Sequence, residues 1–330
     1  MKFDFHVNHR LLFGTAGAAF VALSVLVAVA PAAWLQRSVA PLPGSRALTS
    51  LERQGLEVYL SEGCVYCHTQ QVRPLQQDTS RYGRASVAAD YARLRPMGRW
   101  HSTPRVLGTE RTGPDLTNIG ARQPSAIWHG LHLFQPRAVV PGSIMPAFPW
   151  LFQVRDKAEA GTDALVVPAP YGPGAGVVVP TERGRALIAY LLALQSAPLP
   201  QAASSTNTQA PPVGASDAAR GERIYSSNCA ACHQPTGQGI AGTFPPFAGD
   251  SVVLAEDAER HIEIVLFGNS GASIGGVTYA SPMPAWGALL SDEEVAAVIN
   301  HERRSWGNAA PQVTVEAVAA LRARGARHVP

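Results

Sequence analysis

Cysteine is scarce in this chain. There are four in 330 residues, and all fall in two Cys-x-x-Cys-His pentads, Cys64-Val65-Tyr66-Cys67-His68 and Cys229-Ala230-Ala231-Cys232-His233. None is left over for a disulfide, which excludes a scaffold stapled by crosslinks. Charged residues make up 15% of the chain and balance at +3, too small an excess to recruit nucleic acid or an anionic surface. Methionine is as rare as cysteine: Met1, Met97, Met145 and Met283. No carboxylate cluster suggests a calcium site, and no side-chain set forms a copper site. Long apolar runs are few too, and the one that matters lies near the amino terminus.

The pentads are the strongest positive signal. On a helical turn, cysteines three residues apart lie on one face and can bond the two vinyl groups of one porphyrin, while the next residue sets an imidazole under the iron. Cys64, Cys67 and His68, and again Cys229, Cys232 and His233, therefore carry the attachment signature of a c-type haem. Two pentads predict two covalently bound haem c groups and one-electron chemistry. The competing readings are weaker, because a redox dithiol does not require the histidine and a closed zinc site needs further ligands at matching spacing.

Residues 11–30 carry no charge and, at 1.5 Å per residue, reach across a hydrocarbon layer of roughly 30 Å. This predicts a short tail over 1–10 and a single transmembrane anchor over 11–34, with Trp34 at the interface. Lys2 and Arg10 against Asp4 place the tail in the bacterial cytoplasm and everything after Trp34 on the periplasmic face of the inner membrane. A cleaved signal peptide is the alternative, since Ala28-Val29-Ala30 is a small-x-small site. Its apolar run would be unusually long, however, and Pro31 hinders cleavage.

Residues 196–216 contain no charge and collect Pro198, Pro200, Pro211 and Pro212, the composition of an unpacked connector. It separates two units, 47–195 and 217–308, followed by a tail over 309–330. Each repeats one order of signals: an amphipathic helix, a pentad, a Pro-bearing loop, a Met-Pro dipeptide and a second amphipathic helix. Gly55 with Tyr59, and Gly221 with Tyr225, put a small and an aromatic residue on one helix face, which lets a second helix approach closely. Ser291-Asp292-Glu293-Glu294 is a capping box opening the last helix of the second unit. The fold class is mainly α, one transmembrane helix followed by two units whose layout resembles class I cytochrome c.

Subtraction supplies the sixth ligands. Met1 initiates and Met97 lies in an unpatterned basic stretch, which leaves Met145 for the first iron and Met283 for the second; bis-histidine ligation is the alternative. A ligating imidazole also needs an acceptor for its other N–H. Pro114 fits that role in the first unit, and Pro245 or Pro246 in the second. The first unit accommodates an insertion over about residues 70–109 with Arg73, Arg81, Arg84, Arg93, Arg95, Arg99 and Arg105. These suit carboxylate or propionate partners, or simply form a solvated basic face. His129 and His132 stand at i, i+3, and neutral buried histidines are the better reading than metal ligands.

Residues 63–70, Val72-Arg73-Pro74, Arg81-Tyr82-Gly83, residues 111–116, Trp128-His129, His132-Leu133, Pro136-Arg137, Met145-Pro146 and Pro149-Trp150-Leu151 together resemble the membrane-anchored mono-haem subunit of cbb(3)-type cytochrome c oxidases over about residues 1–152. The second unit is similar to a generic class I cytochrome c. The resemblance implies an electron-transfer subunit that does no oxygen chemistry itself. It implies as partners a haem-copper oxidase catalytic subunit in the membrane and a soluble or membrane cytochrome c donor, in a hetero-oligomer. Electrons are expected to enter at the second haem and leave through the first. The rivals are a free-standing anchored di-haem carrier serving a periplasmic dehydrogenase, and a di-haem peroxidase or gas sensor with one five-coordinate iron.

Overall fold

The computed structural model describes residues 5–92, 94, 104–156, 161, 163–200, 217–274, 276–279 and 281–325. Met97, Arg93, Arg95, Arg99, His101 and most of the proposed connector lie outside them, as do the Arg105 side chain and the tail end 326–330.

The amino-terminal apolar run is helical. α1 (His9–Ser24) is capped by Asn8, whose side chain accepts from Leu11 N at 3.0 Å, and α2 (Ala30–Ser38) continues it. Between them, Val25–Val29 winds as a π-turn. Pro31 explains the turn, since its ring clashes with the carbonyl four residues back and it lacks an N–H; widening the helix there removes both conflicts. The stretch His9–Leu35 is long and apolar enough to cross a membrane, and it buries nothing against the rest of the chain.

The first unit is built on a close helix crossing. α3 (Ser50–Ser61) opens with a reciprocal capping box between Thr49 and Glu52. Short helices α4 (Gln76–Tyr82), α5 (Ala88–Tyr91), α6 (Pro104–Leu107) and α7 (Ile119–Arg122) lead to α8 (Ala126–Phe134). The Gly/Pro-rich segment after it forms an antiparallel hairpin of β1 (Phe152–Arg155) and β2 (Val177–Pro180), with Phe152 opposite Pro180. This hairpin delivers the chain to α9 (Glu182–Ala193), capped by Thr181. At the crossing of α3 and α9, a Cβ on Gly55 would lie 1.9 Å from the Ala186 carbonyl oxygen, so only glycine permits the approach. Leu56, Tyr59, Leu187 and Tyr190 fill the core beside it.

The second unit repeats this plan. α10 (Asp217–Ile224) runs through a π-turn, Tyr225–Cys229, into α11 (Ala230–His233). α12 (Ser251–Leu254), α13 (Glu259–Phe267) and the hairpin β3 (Ala272–Ile274)/β4 (Val277–Tyr279) precede α14 (Asp292–Glu302), which begins with the Ser291/Glu294 capping box. Gly221 serves as Gly55 does: a Cβ there would lie 2.2 Å from the Ala297 carbonyl oxygen. One element departs from the sequence reading. The stretch expected to be a tail after Asn308 carries α15 (Val315–Arg324), with Val318 and Leu321 buried in the second core. Arg322 fixes it to α14, its Nε donating to Asp292 at 2.7 Å and its Nη2 to the Leu290 carbonyl at 2.9 Å. The architecture is mainly α.

Candidate haem sites

In the first unit, Gly63 ends α3 in the left-handed region (φ 75°), turning the chain into the pentad. His68 N donates to the Cys64 carbonyl at 3.0 Å, closing one turn. The His68 Nδ1 atom lies 2.8 Å from the Pro114 carbonyl oxygen. A carbonyl can only accept, so Nδ1 carries the proton and the lone pair stays on Nε2. Burial lowers the imidazole's pKa and keeps it neutral, against the weaker opposing effect of the Pro114 carbonyl.

The loop holding Pro114 is fixed by Asp115, a buried carboxylate. It accepts from Thr69 Oγ1 at 2.6 Å, Gln71 N at 2.8 Å and Thr117 N at 2.8 Å. Gly113 lets the loop close, because a Cβ there would sit 2.3 Å from His68 Cε1. Met145 is half-buried at the edge of the first core, in the cluster that includes Cys64, Val65 and Trp128.

In the second unit, His233 Nδ1 lies 2.8 Å from the Pro245 carbonyl oxygen, and the ring stacks on Phe247 with centroids 4.0 Å apart. Pro245, rather than Pro246, is the acceptor. Cys229, Cys232, His233, Pro245, Pro246 and Met283 all line one cleft of about 910 Å³, open to solvent at its mouth. Its walls are largely apolar, with Phe244, Phe247, Val253 and Trp286 among them. His261 lines the same cleft, and its Nε2 lies 2.8 Å from Glu302 Oε2, both residues being buried. That pair had no signal in the sequence, since 41 positions separate its members.

Cys64, Cys229 and Cys232 do not suit thiolate chemistry. Burial pushes the Cys64 and Cys232 thiols each up to about 12, and raises Cys229 strongly as well. A redox dithiol or zinc site needs the opposite shift. Protonated, half-buried thiols beside a neutral imidazole with a free Nε2, a methionine sulfur and apolar walls fit a covalently held haem.

The remaining singled-out residues divide. Buried His129 bonds the Gln123 carbonyl through Nε2 at 2.8 Å, and burial pushes its pKa down to about 4. His132 stacks on Trp128, and burial pushes it down to about 3. In the insertion, Asp78 pairs with Arg73 and with Arg111 just beyond it, and Arg84 holds Asp90 and the Ala197 carbonyl. Those arginines brace the insertion and tie it to the rest of the first unit.

Two family models match the chain. One, described as cytochrome c oxidase mono-haem subunit/FixO, covers residues 6–172, and one described as cytochrome c oxidase, cbb3-type, subunit III covers residues 216–301. Cytochrome c-552 of Thermus thermophilus is 42% identical over 115 residues, 32% of this chain and 86% of that protein. The cytochrome c subunit of alcohol dehydrogenase (quinone) from Gluconobacter oxydans (strain 621H) is 38% identical over 107 residues, 32% of this chain and 22% of that subunit. The gluconate 2-dehydrogenase cytochrome c subunit of Pantoea cypripedii is 39% identical over 108 residues, 32% of this chain. The chain spans only 22% and 24% of the lengths of these two dehydrogenase subunits.

Proposed function

Because the chain belongs to the family of cytochrome c oxidase mono-haem subunits, we propose that it is the electron-transfer subunit of a cbb(3)-type oxidase, holding two c haems and feeding a separate catalytic subunit. The observation that carries this reading is the pairing of two oxidase-subunit matches, 6–172 and 216–301, on one polypeptide. The second region stands in for a separate cytochrome subunit.

In this reading Cys64 and Cys67, and Cys229 and Cys232, form the thioethers. Pro114 and Pro245 hold the Nδ1 atoms of His68 and His233, whose Nε2 atoms would bind iron, and Met145 and Met283 would supply the remaining ligands. Bound haem iron supplies a one-electron couple. A soft thioether favours the ferrous state and raises the potential relative to a second imidazole. The apolar walls limit water, so little solvent has to reorganise when the charge changes. With His68 and Met145, and His233 and Met283, as ligands, a bound haem would leave no position for oxygen, and oxygen reduction would fall to the partner subunit. The apolar helix His9–Leu35 anchors the chain to the membrane, with the haem units on the periplasmic side.

The dehydrogenase relatives favour a second reading, in which the same chain serves a periplasmic dehydrogenase. Purification from detergent-solubilised membranes separates the two. Co-elution with a haem b- and copper-containing subunit supports the oxidase; co-elution with a dehydrogenase flavoprotein or quinoprotein, and no copper, overturns it.

A further inference from the structure

The second pentad is half-buried, with His233 fully so. It lies on α8 of the first unit. Trp128 Nε1 donates to the carbonyl of Ala231, inside the pentad, at 2.9 Å across 103 positions of sequence. Gln123 Oε1 approaches Cys232 Sγ at 3.9 Å, and Gln123 and Ser125 help to line the second cleft. Around this contact, Gln234 Nε2 donates to the Val139 carbonyl at 3.4 Å and Thr243 Oγ1 to the Val166 carbonyl at 3.1 Å. Phe244 is buried in the hydrophobic cluster of the first unit. The edge of the second haem site that carries Cys232 is therefore covered by the first unit.

Trp128 also reaches in the other direction. Its ring stacks on that of His132, centroids 4.6 Å apart and planes within 7°. Trp128 also packs against the first unit's hydrophobic cluster, as do Cys64, Val65 and Met145 of the first site. The first unit's cluster and the second pentad are thus joined by a short series of contacts: His132, Trp128, then the hydrogen bond into the Ala231-Cys232 peptide.

Resting on the di-haem reading above, we propose that Trp128, stacked on His132 and hydrogen-bonded to Ala231, is the bridge through which an electron passes between the two haem sites. Tunnelling falls off more slowly through bonded and stacked π groups than across packing gaps, and this series replaces gaps with an aromatic stack and one hydrogen bond. One electron moves between the irons held by His233 and His68, one going from ferrous to ferric as the other goes from ferric to ferrous. Neither Trp128 nor His132 changes oxidation state, and no proton is transferred.

The test uses the full-length holoprotein in detergent, first assayed for two covalent haems and intact methionine-to-iron absorption. One haem is reduced by a light-triggered electron donor, and the approach to inter-haem equilibrium is timed. Pulsed electron paramagnetic resonance on the oxidised protein gives the inter-iron distance. Trp128→Leu removes both the stack and the N–H donor, and is expected to slow equilibration by about tenfold or more at an unchanged distance. Trp128→Phe keeps a ring and loses the donor, and should fall between. If Trp128→Leu yields no holoprotein, His132→Ala interrupts the same stack from the other side. An unchanged rate overturns the bridge. A slower rate found only with a longer inter-iron distance also overturns it, leaving Trp128 as a clamp. A wild-type preparation with fewer than two covalent haems defeats the di-haem reading itself, and is recognised before any rate is measured.

Discussion

Gly113 has little freedom beside the first site. Any side chain there enters the space of the His68 ring. Gly113→Ala is expected to push the imidazole off the Pro114 carbonyl and open the first iron to carbon monoxide. Titrating the reduced protein with carbon monoxide checks this, with one haem of the two becoming reactive. At the second site, Met283→Leu should have the same spectroscopic effect and lower that haem's potential, because the soft sulfur ligand is lost. His129 sets an acid limit on stability. Its folded pKa of about 4 lies below its ordinary value, so the unfolded chain binds a proton that the folded chain refuses. Its contribution is complete above about pH 6.5 and is lost as pH falls toward 4, at up to about 1.4 kcal/mol per pH unit. His129→Asn should flatten that part of the denaturant-midpoint profile by one proton. The pentads were readable at this scale because their chemistry depends on near neighbours. The roles of Gly113 and Asp115 were not, since each depends on a loop 46 or so positions from the pentad it serves.

Helix crossings decide whether each unit forms. Gly55 and Gly221 stand where backbone meets backbone, and sequence spacing identified both because a small and an aromatic residue at i, i+4 mark a close approach. Gly221→Val should cost about 3 kcal/mol or prevent folding of the second unit, since overpacking at a backbone contact cannot relax. Thermal unfolding followed at the second haem alone would read this out. α15 escaped sequence reading: its alanines give a weak apolar stripe, and only Val318 and Leu321 are buried. Truncation after Asn308 removes those two, with Val313, at roughly 2 kcal/mol per buried side chain. The second unit should then melt earlier while the first is unchanged.

At the scale of the whole chain, the amino-terminal helix buries nothing, so its removal should cost the haem units nothing. A chain starting at Val39, exported behind a cleavable leader, is expected in the soluble fraction with its full haem content; loss of haem would mean that the helix supports the fold. The sequence alone determined the cofactor chemistry, the apolar segment and the helical class, because these rest on ligand spacing, run length and periodicity within a few turns. It also indicated two units from repeated order. Only the tertiary structure decided that the second pentad lies against α8 through Trp128, that Pro245 and not Pro246 accepts from His233, and that His261 meets Glu302. These are contacts between residues far apart in the chain, or choices between adjacent equivalents. Local pattern carries no information about either, because packing selects among partners that the sequence leaves equally available.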